Sequence, residues 1–326
     1  KVEVSLIAGD IYLLANDGSN AIKFYNRAND LNPQSPTAKI KIGNIYVRSK
    51  NLQAAIPYFE EAITIDANFA PAYRELAELY QLAGRLENAK TNYKKYLDLS
   101  GDNTPAKIRY IVSLYKAKDY EEATTQIDQV FKVDTSINYL NRLAAYCYYE
   151  KPNADYNVAL NSIEKFFRNS PADRIIPKDY LYWARIILKT KADYGNLRVK
   201  IYQDTAKLHK EIIKLSDKLN TLAGIKKTTD PRLKEKPILT AKLDSLKNEF
   251  KNMKLTISKD SAEIERGFSK YREALAIQPD NMEIISEMAI AYYNFKHFTQ
   301  AADMYKKINL ANSSIENQMM IGKCYY

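Results

Sequence analysis

Glycine and proline are scarce in this 326-residue chain, at 9 and 11, which excludes a loop-rich fold and leaves room only for short turns. Two cysteines, Cys147 and Cys324, cannot build a disulfide framework, and each stands beside a tyrosine on an expected helix, where a buried small side chain fits. The two histidines, His209 and His297, are too isolated for a catalytic triad or a zinc site. There is no Walker loop, no Rossmann glycine run and no paired-histidine motif. No apolar run reaches the ~18 residues that a membrane helix needs. Acid pairs such as Glu60 with Glu61 and Glu121 with Glu122 fall where hairpins turn or face solvent. The expectation is therefore no catalytic residue, no cofactor, no metal and no enzymatic activity.

What the chain does contain is a repeat. Gly43, Tyr46, Ala55, Phe59 and Ala62 recur 34 residues later as Ala77, Tyr80, Ala89, Tyr93 and Tyr96. A small residue three before an aromatic, and a second such pair beyond a short break, is helical periodicity on either side of a turn. The same frame fits residues 2–33 through Gly9, Tyr12, Ala21, Tyr25, Ala28 and Pro33. Small residues in this pattern mark where two helix backbones approach closely, and the aromatics, drawn from 26 tyrosines, fill the space beside them.

On these residues the chain resembles the tetratricopeptide repeat family, whose period is about 34 residues. The resemblance implies an all-α fold, a right-handed superhelical solenoid of helical hairpins, and it overrides a length-based count of about two globular domains. A fourth copy covers 104–135, with Ile111 in the small-residue position. A fifth runs from Asn138 to Pro171 with a longer turn around Pro152, and a seventh uses Met288, Ala289, Tyr292, Ala301, Tyr305 and Ile308. Ile321, Gly322 and Tyr325 open an eighth, so the expectation is seven hairpins and a final single helix.

The sixth copy is interrupted. Its first helix holds Tyr180, Trp183, Ala184 and Ile187, yet its second begins only at Gly267, 83 residues after Ala184 where 12 are expected. Within the extra stretch, Leu208, Ile212, Leu215, Leu219 and Leu222, then Leu239, Leu243, Leu246, Phe250 and Met253, step by three and four. This predicts an inserted antiparallel coiled hairpin of two helices of about 20 residues, with Pro237 in the first turn of the second. The expected organisation is a repeat array over 1–194, the insert over 195–262 and a resumed array over 263–326. The insert carries 16 Lys or Arg against 8 Asp or Glu, nearly all of the chain's net +10.

In the resembled family the first helix of each hairpin lines the concave face. Carried onto this sequence, that face comprises Asn44 and Arg48, Arg74 and Glu78, Tyr115, then Arg142, Tyr146 and Tyr149, and finally Arg185 and Tyr293. Arginine and tyrosine supply binding energy at low entropic loss. The expected partner is a protein or peptide, acidic with apolar anchors, meeting the run from Arg74 through Arg142 and Tyr146 to Arg185. Of the family's carboxylate clamp only Asn44 matches, because Leu6 and Ile40 stand at the lysine positions. One alternative is a partner that grips the inserted hairpin through Leu215, Leu219, Leu246 and Phe250; another is nucleic-acid or anionic-membrane contact through the basic insert. Dispersed lysines, scarce arginine and absent aromatic interleaving argue against nucleic acid and leave peripheral membrane contact. A start at Lys1 and an end on Tyr325 and Tyr326 raise the expectation of further chain, which would extend or close the groove. The composition looks like that of Bacteroidetes-type cell-envelope arrays, implying periplasm, with cytoplasm as the alternative.

Overall fold

A computed structural model of the chain describes residues 1–101, 103–192, 194–225 and 229–326, without the side chains of 195–199. Lys226, Lys227 and Thr228 of the expected insert loop, and the side chains at the insert's start, lie outside the described residues. The described residues are helical with no strand among them, and they divide into two compact units, Lys1–Asp155 and Tyr156–Tyr326.

The first unit contains α1 (Val2–Leu14), α2 (Gly18–Leu31), α3 (Thr37–Arg48), α4 (Leu52–Ile65), α5 (Ala70–Leu82), α6 (Leu86–Ser100), α7 (Thr104–Lys116), α8 (Tyr120–Val133) and α9 (Asn138–Glu150). Each helix packs on the next, and α3 touches α5 as α7 touches α9, so the odd-numbered helices share one side. One turn joins the pairs each time. Asn16, Lys50, Gly84 and Lys118, spaced 34 apart, have φ of 60°, 60°, 73° and 61°. The next amide reaches back across the turn: Asp17 N–H to the Tyr12 carbonyl at 2.9 Å, Asn51 to Tyr46 at 2.9 Å, Arg85 to Tyr80 at 2.8 Å, and Asp119 to Leu114 at 2.9 Å. This Schellman closure satisfies orphan carbonyls with a single left-handed residue. Asp17 and Asn51 then cap the following helix by accepting the amides of Asn20 and Ala54. So compact a turn is why the chain manages with few glycines and prolines.

Close approach between paired helices is set by the small residues. A Cβ built on Gly9 would fall 2.9 Å from Tyr25 Cζ, and one on Gly43 would fall 2.8 Å from Phe59 Cδ1. Both rings are fully buried at 0% exposure. In the fourth copy Ile111 stands at the small-residue position and Ile127 at the ring position, both also at 0%, so two branched aliphatic side chains replace the glycine-and-ring pair there.

The second unit contains α10 (Tyr156–Asn169), α11 (Pro177–Thr190), α12 (Tyr194–Ala223), α13 (Lys236–Ile277), α14 (Met282–Asn294), α15 (Phe298–Ala311) and α16 (Ile315–Tyr325). Pro177 opens α11, and the fully buried Asp179 carboxylate accepts the Ile176 amide at 2.8 Å. Leu188 of α11 lies against Gly267 in the C-terminal half of α13, where a Cβ would sit 2.8 Å away. Phe268 stacks on Tyr292 of α14 at 4.1 Å, and Lys296 (φ 66°) repeats the turn of the first unit, with His297 N–H on the Tyr292 carbonyl at 2.8 Å.

Helix lengths between 194 and 277 differ from expectation. α12 has 30 residues and α13 has 42, so the stretches expected as the second helix of an insert and the second helix of a sixth copy are one continuous rod. Pro237 does lie in its first turn, and no proline follows until Pro279, so nothing in the sequence ends the helix between them. The expected boundary at 262/263 therefore falls inside α13. Among the described residues no helix is long and apolar enough to cross a membrane.

Candidate functional site

The first-helix face of the N-terminal unit divides into a charged part on α5 and α7 and an aromatic part on α7 and α9. Arg74 pairs with its neighbour Glu75, whose hydrogen bond raises the guanidinium pKa. Glu78 of α5 pairs with Arg109 of α7. Both partners are about two-fifths exposed, at 45% and 39%, so the pair contributes no more than ~1 kcal/mol and opens at little cost to an incoming group. Nearby, burial pushes the Tyr93 hydroxyl up to about 12, and the negative field of Glu78 adds to this.

Tyrosines dominate the aromatic part. Tyr115 contacts Tyr146 at 5.9 Å between centroids and Tyr120 at 6.2 Å, both tilted. Burial pushes the Tyr120 hydroxyl up to about 12. Tyr139, on the first turn of α9, keeps 43% of its surface exposed. Its partial burial raises its pKa, while the Arg142 charge one turn along pulls it down. Arg142 and Tyr149 are half-buried, as are Asn44, Arg74, Glu78 and Tyr115, while Arg48 is exposed.

Two expected anchors are corrected. Tyr146 is only 3% exposed, so it backs the surface from beneath, because Tyr115 covers it. Arg185, in the second unit, is held by Glu287 (Nε to Oε2 at 2.8 Å) and Glu283 (3.4 Å) of α14 and lies 5.1 Å over the Tyr182 ring. That arginine staples α11 to α14. Tyr293 is half-buried with its ring edge-to-face on Phe298 at 5.5 Å.

Sequence reasoning missed Arg109 and Tyr139. The 34-residue step from Arg74 lands on Ile108, one short of Arg109, and Tyr139 lies on the opening turn of its helix, outside the positions carried over. An arginine following a strict-frame position, opposite a glutamate one repeat earlier, is the signal that would have found the first. Among the described residues no group of three His, Cys, Asp or Glu is placed to hold a metal ion. Both cysteines are buried, and burial pushes the Cys147 thiol up to about 12 and raises that of Cys324, which disfavours the reactive thiolate.

Residues 36–69 and 70–103 each match the tetratricopeptide repeat family model. Residues 36–103 carry two tetratricopeptide repeats. The repeat region is 30% identical over 94 residues to the TPR repeat-containing thioredoxin TTL4 of Arabidopsis thaliana, covering 29% of this chain and 13% of that protein. It is 25% identical over 137 residues to the small glutamine-rich tetratricopeptide repeat-containing protein 2 of Saccharomyces cerevisiae, covering 42% of this chain and 37% of the relative. The chain thus spans well under half the length of these relatives. Among solved structures, YrrB, described as a TPR protein with an unusual peptide-binding site, is 14% identical with a TM-score of 0.45, covering 51% of this chain and 84% of its own. Within the repeats of this chain, the side formed by α3, α5, α7 and α9 presents mixed charge next to half-exposed aromatic rings on rigid helices. That combination suits adhesion to a polypeptide.

Proposed function

We propose that the chain is a non-enzymatic protein-interaction scaffold that holds a partner protein or peptide against the α5–α7–α9 face. The observation that carries this reading is Tyr139 beside Arg142, with Tyr115 on the adjoining helix: a large, half-exposed aromatic and a guanidinium fixed on packed helices. Aromatic and arginine side chains held rigid on a surface are the usual centre of a polypeptide interface. Arg74, Arg109 and Arg142 favour a partner with carboxylates beside apolar anchors, since each guanidinium gains a charge-assisted hydrogen bond when its present contact opens. Residues 195–262 are an insertion into the sixth repeat, and the scaffold works in the cell envelope, a setting that rests on composition and is checked by fractionating the native full-length protein.

The test is a peptide selected by display on the full chain and then titrated by calorimetry. Tyr139→Ala with Arg142→Ala should weaken it by more than about 2 kcal/mol, roughly 30-fold, with helicity unchanged. Undiminished affinity in that variant would remove this face from consideration.

A further inference from the structure

α12 and the first half of α13 run antiparallel in close contact. Thr205 Oγ1 lies 3.9 Å from Met253 Sδ, His209 stacks on Phe250 at 5.5 Å, Lys242 pairs with Glu211 at 3.1 Å, and Lys218 pairs with Glu235 at 2.9 Å. The apolar seam between them stays open. Among the described residues from 200 to 260, only Leu208, Leu222 and Leu243 are buried, at 8%, 5% and 7% exposure. Ile212, Leu215, Leu219, Leu239, Leu246, Phe250 and Met253 all keep surface in water. The contrast with α9 is large, since that helix buries eight of its 13 residues. Two helices alone cannot enclose a seam of this length.

The two flanks of the seam differ in charge. At about 100° per residue, Lys236, Lys247, Lys251 and Lys254 occupy one arc of α13 beside the seam. On the same flank α12 presents Tyr202, His209 and Ile213 and no carboxylate, with Tyr202 51% and Ile213 48% exposed. The placement is marked by Phe250, which carries His209 on its ring and Lys254 at 4.5 Å. Glu211, with its partner Lys242, lies on the opposite flank. Asp244, three residues before Lys247, borders this lysine row on the side away from the seam, and it is the one carboxylate α13 places beside the row.

We propose that this flank of the α12–α13 pair is a second docking site, which takes an amphipathic helix of a partner protein whose apolar stripe is bordered by Asp or Glu. The open leucines receive the stripe and the lysine row receives the acids, completing a three-helix bundle. A flat bilayer cannot reach into a seam between two helices, whereas a helix about 10 Å across can. A phosphate backbone would leave the leucines wet, and the arginine near the loop, Arg232, is already bound to Asp230 at 2.6 Å and 3.0 Å.

The experiment uses the full chain and a fluorescein-labelled synthetic helix of about four heptads, with Leu at a and d and Glu at the flanking positions. A second peptide has Lys in place of each Glu. Anisotropy at physiological salt should show the Glu peptide binding at least about tenfold tighter than the Lys peptide. Lys247→Glu with Lys251→Glu should invert that order, and Lys247→Gln with Lys251→Gln should abolish the preference. Circular dichroism of both variants should match the parent, and Tyr139→Ala with Arg142→Ala should leave this binding untouched, which separates it from the face on α5, α7 and α9. Equal binding of the two peptides, or none, overturns the proposal. So does binding of phosphatidylserine vesicles or of an RNA duplex that the Lys247→Glu, Lys251→Glu variant loses while its peptide binding is unchanged.

Discussion

Substituting Gly43 by alanine tests the packing logic of the repeats directly. In an exposed helix interior this change stabilises by about 0.5–1 kcal/mol, because alanine loses less backbone freedom than glycine. Here the added methyl would lie 2.8 Å from Cδ1 and 2.9 Å from Cζ of Phe59, a ring with no exposed surface into which to retreat. Normal carbon contact needs ~3.5–4 Å, so ring or helix must shift by most of an ångström, and such overpacking costs about 1–3 kcal/mol. The third repeat shows how the fold accommodates it, because Ala77 there faces the 34-residue counterpart of Phe59, Tyr93, which is 3% exposed. That precedent points to the lower part of the range, about 1–1.5 kcal/mol, which less the helix-propensity gain leaves a net loss of about 0.5 kcal/mol. Urea unfolding followed by circular dichroism should place the Gly43→Ala midpoint below the parent's, and Gly43→Ala with Phe59→Leu should recover part of the loss. A stabilised Gly43→Ala, or a double variant whose losses simply add, would refute the argument that glycine is there to admit the ring.

Lys50 and Lys118 hold left-handed backbones at 60° and 61° where Gly84 does so at 73°, so Lys50→Gly and Lys118→Gly should each raise stability by ~0.5–1 kcal/mol in the same urea assay. Asp10 accepts Lys41 Nζ at 2.7 Å and the Tyr25 hydroxyl at 2.6 Å; burial pushes its carboxyl up, but these bonds outweigh that and leave its pKa lowered. A lowered carboxylate pKa stabilises the fold above the unfolded value near 4 and the gain is lost as pH falls through the folded value, so stability measured from pH 6 down to pH 2 should fall more steeply in the parent than in Asp10→Asn. Cys147 should resist a thiol reagent at pH 8 in the native chain and react on unfolding, given its thiol near 12.

The repeat frame was legible because it depends on side-chain volume at fixed spacing: Gly9, Gly43 and the rings opposite them leave few alternative arrangements. The turns were legible in position but not in mechanism, since nothing about Lys50 or Lys118 in sequence announces a left-handed backbone that a 6→1 hydrogen bond makes tolerable. Helix ends in the insert were not legible. Its apolar period gives a face, while the continuation of α13 through 262 follows from the mere lack of a stop signal before Pro279. On the candidate face, the availability of a side chain was not legible. Whether Arg185 is open or clamped depends on Glu287, 102 residues away, and whether Tyr146 is surface or support depends on the ring of Tyr115.

Site-specific photo-crosslinking in cells tests the central claim, that the chain binds another polypeptide through the α5–α7–α9 face, most directly. A benzoylphenylalanine replacing Tyr139 should give a discrete higher-mass adduct on irradiation, while the same group replacing exposed Lys94 on α6 should give none. Adducts from position 94 with none from position 139 would contradict the account.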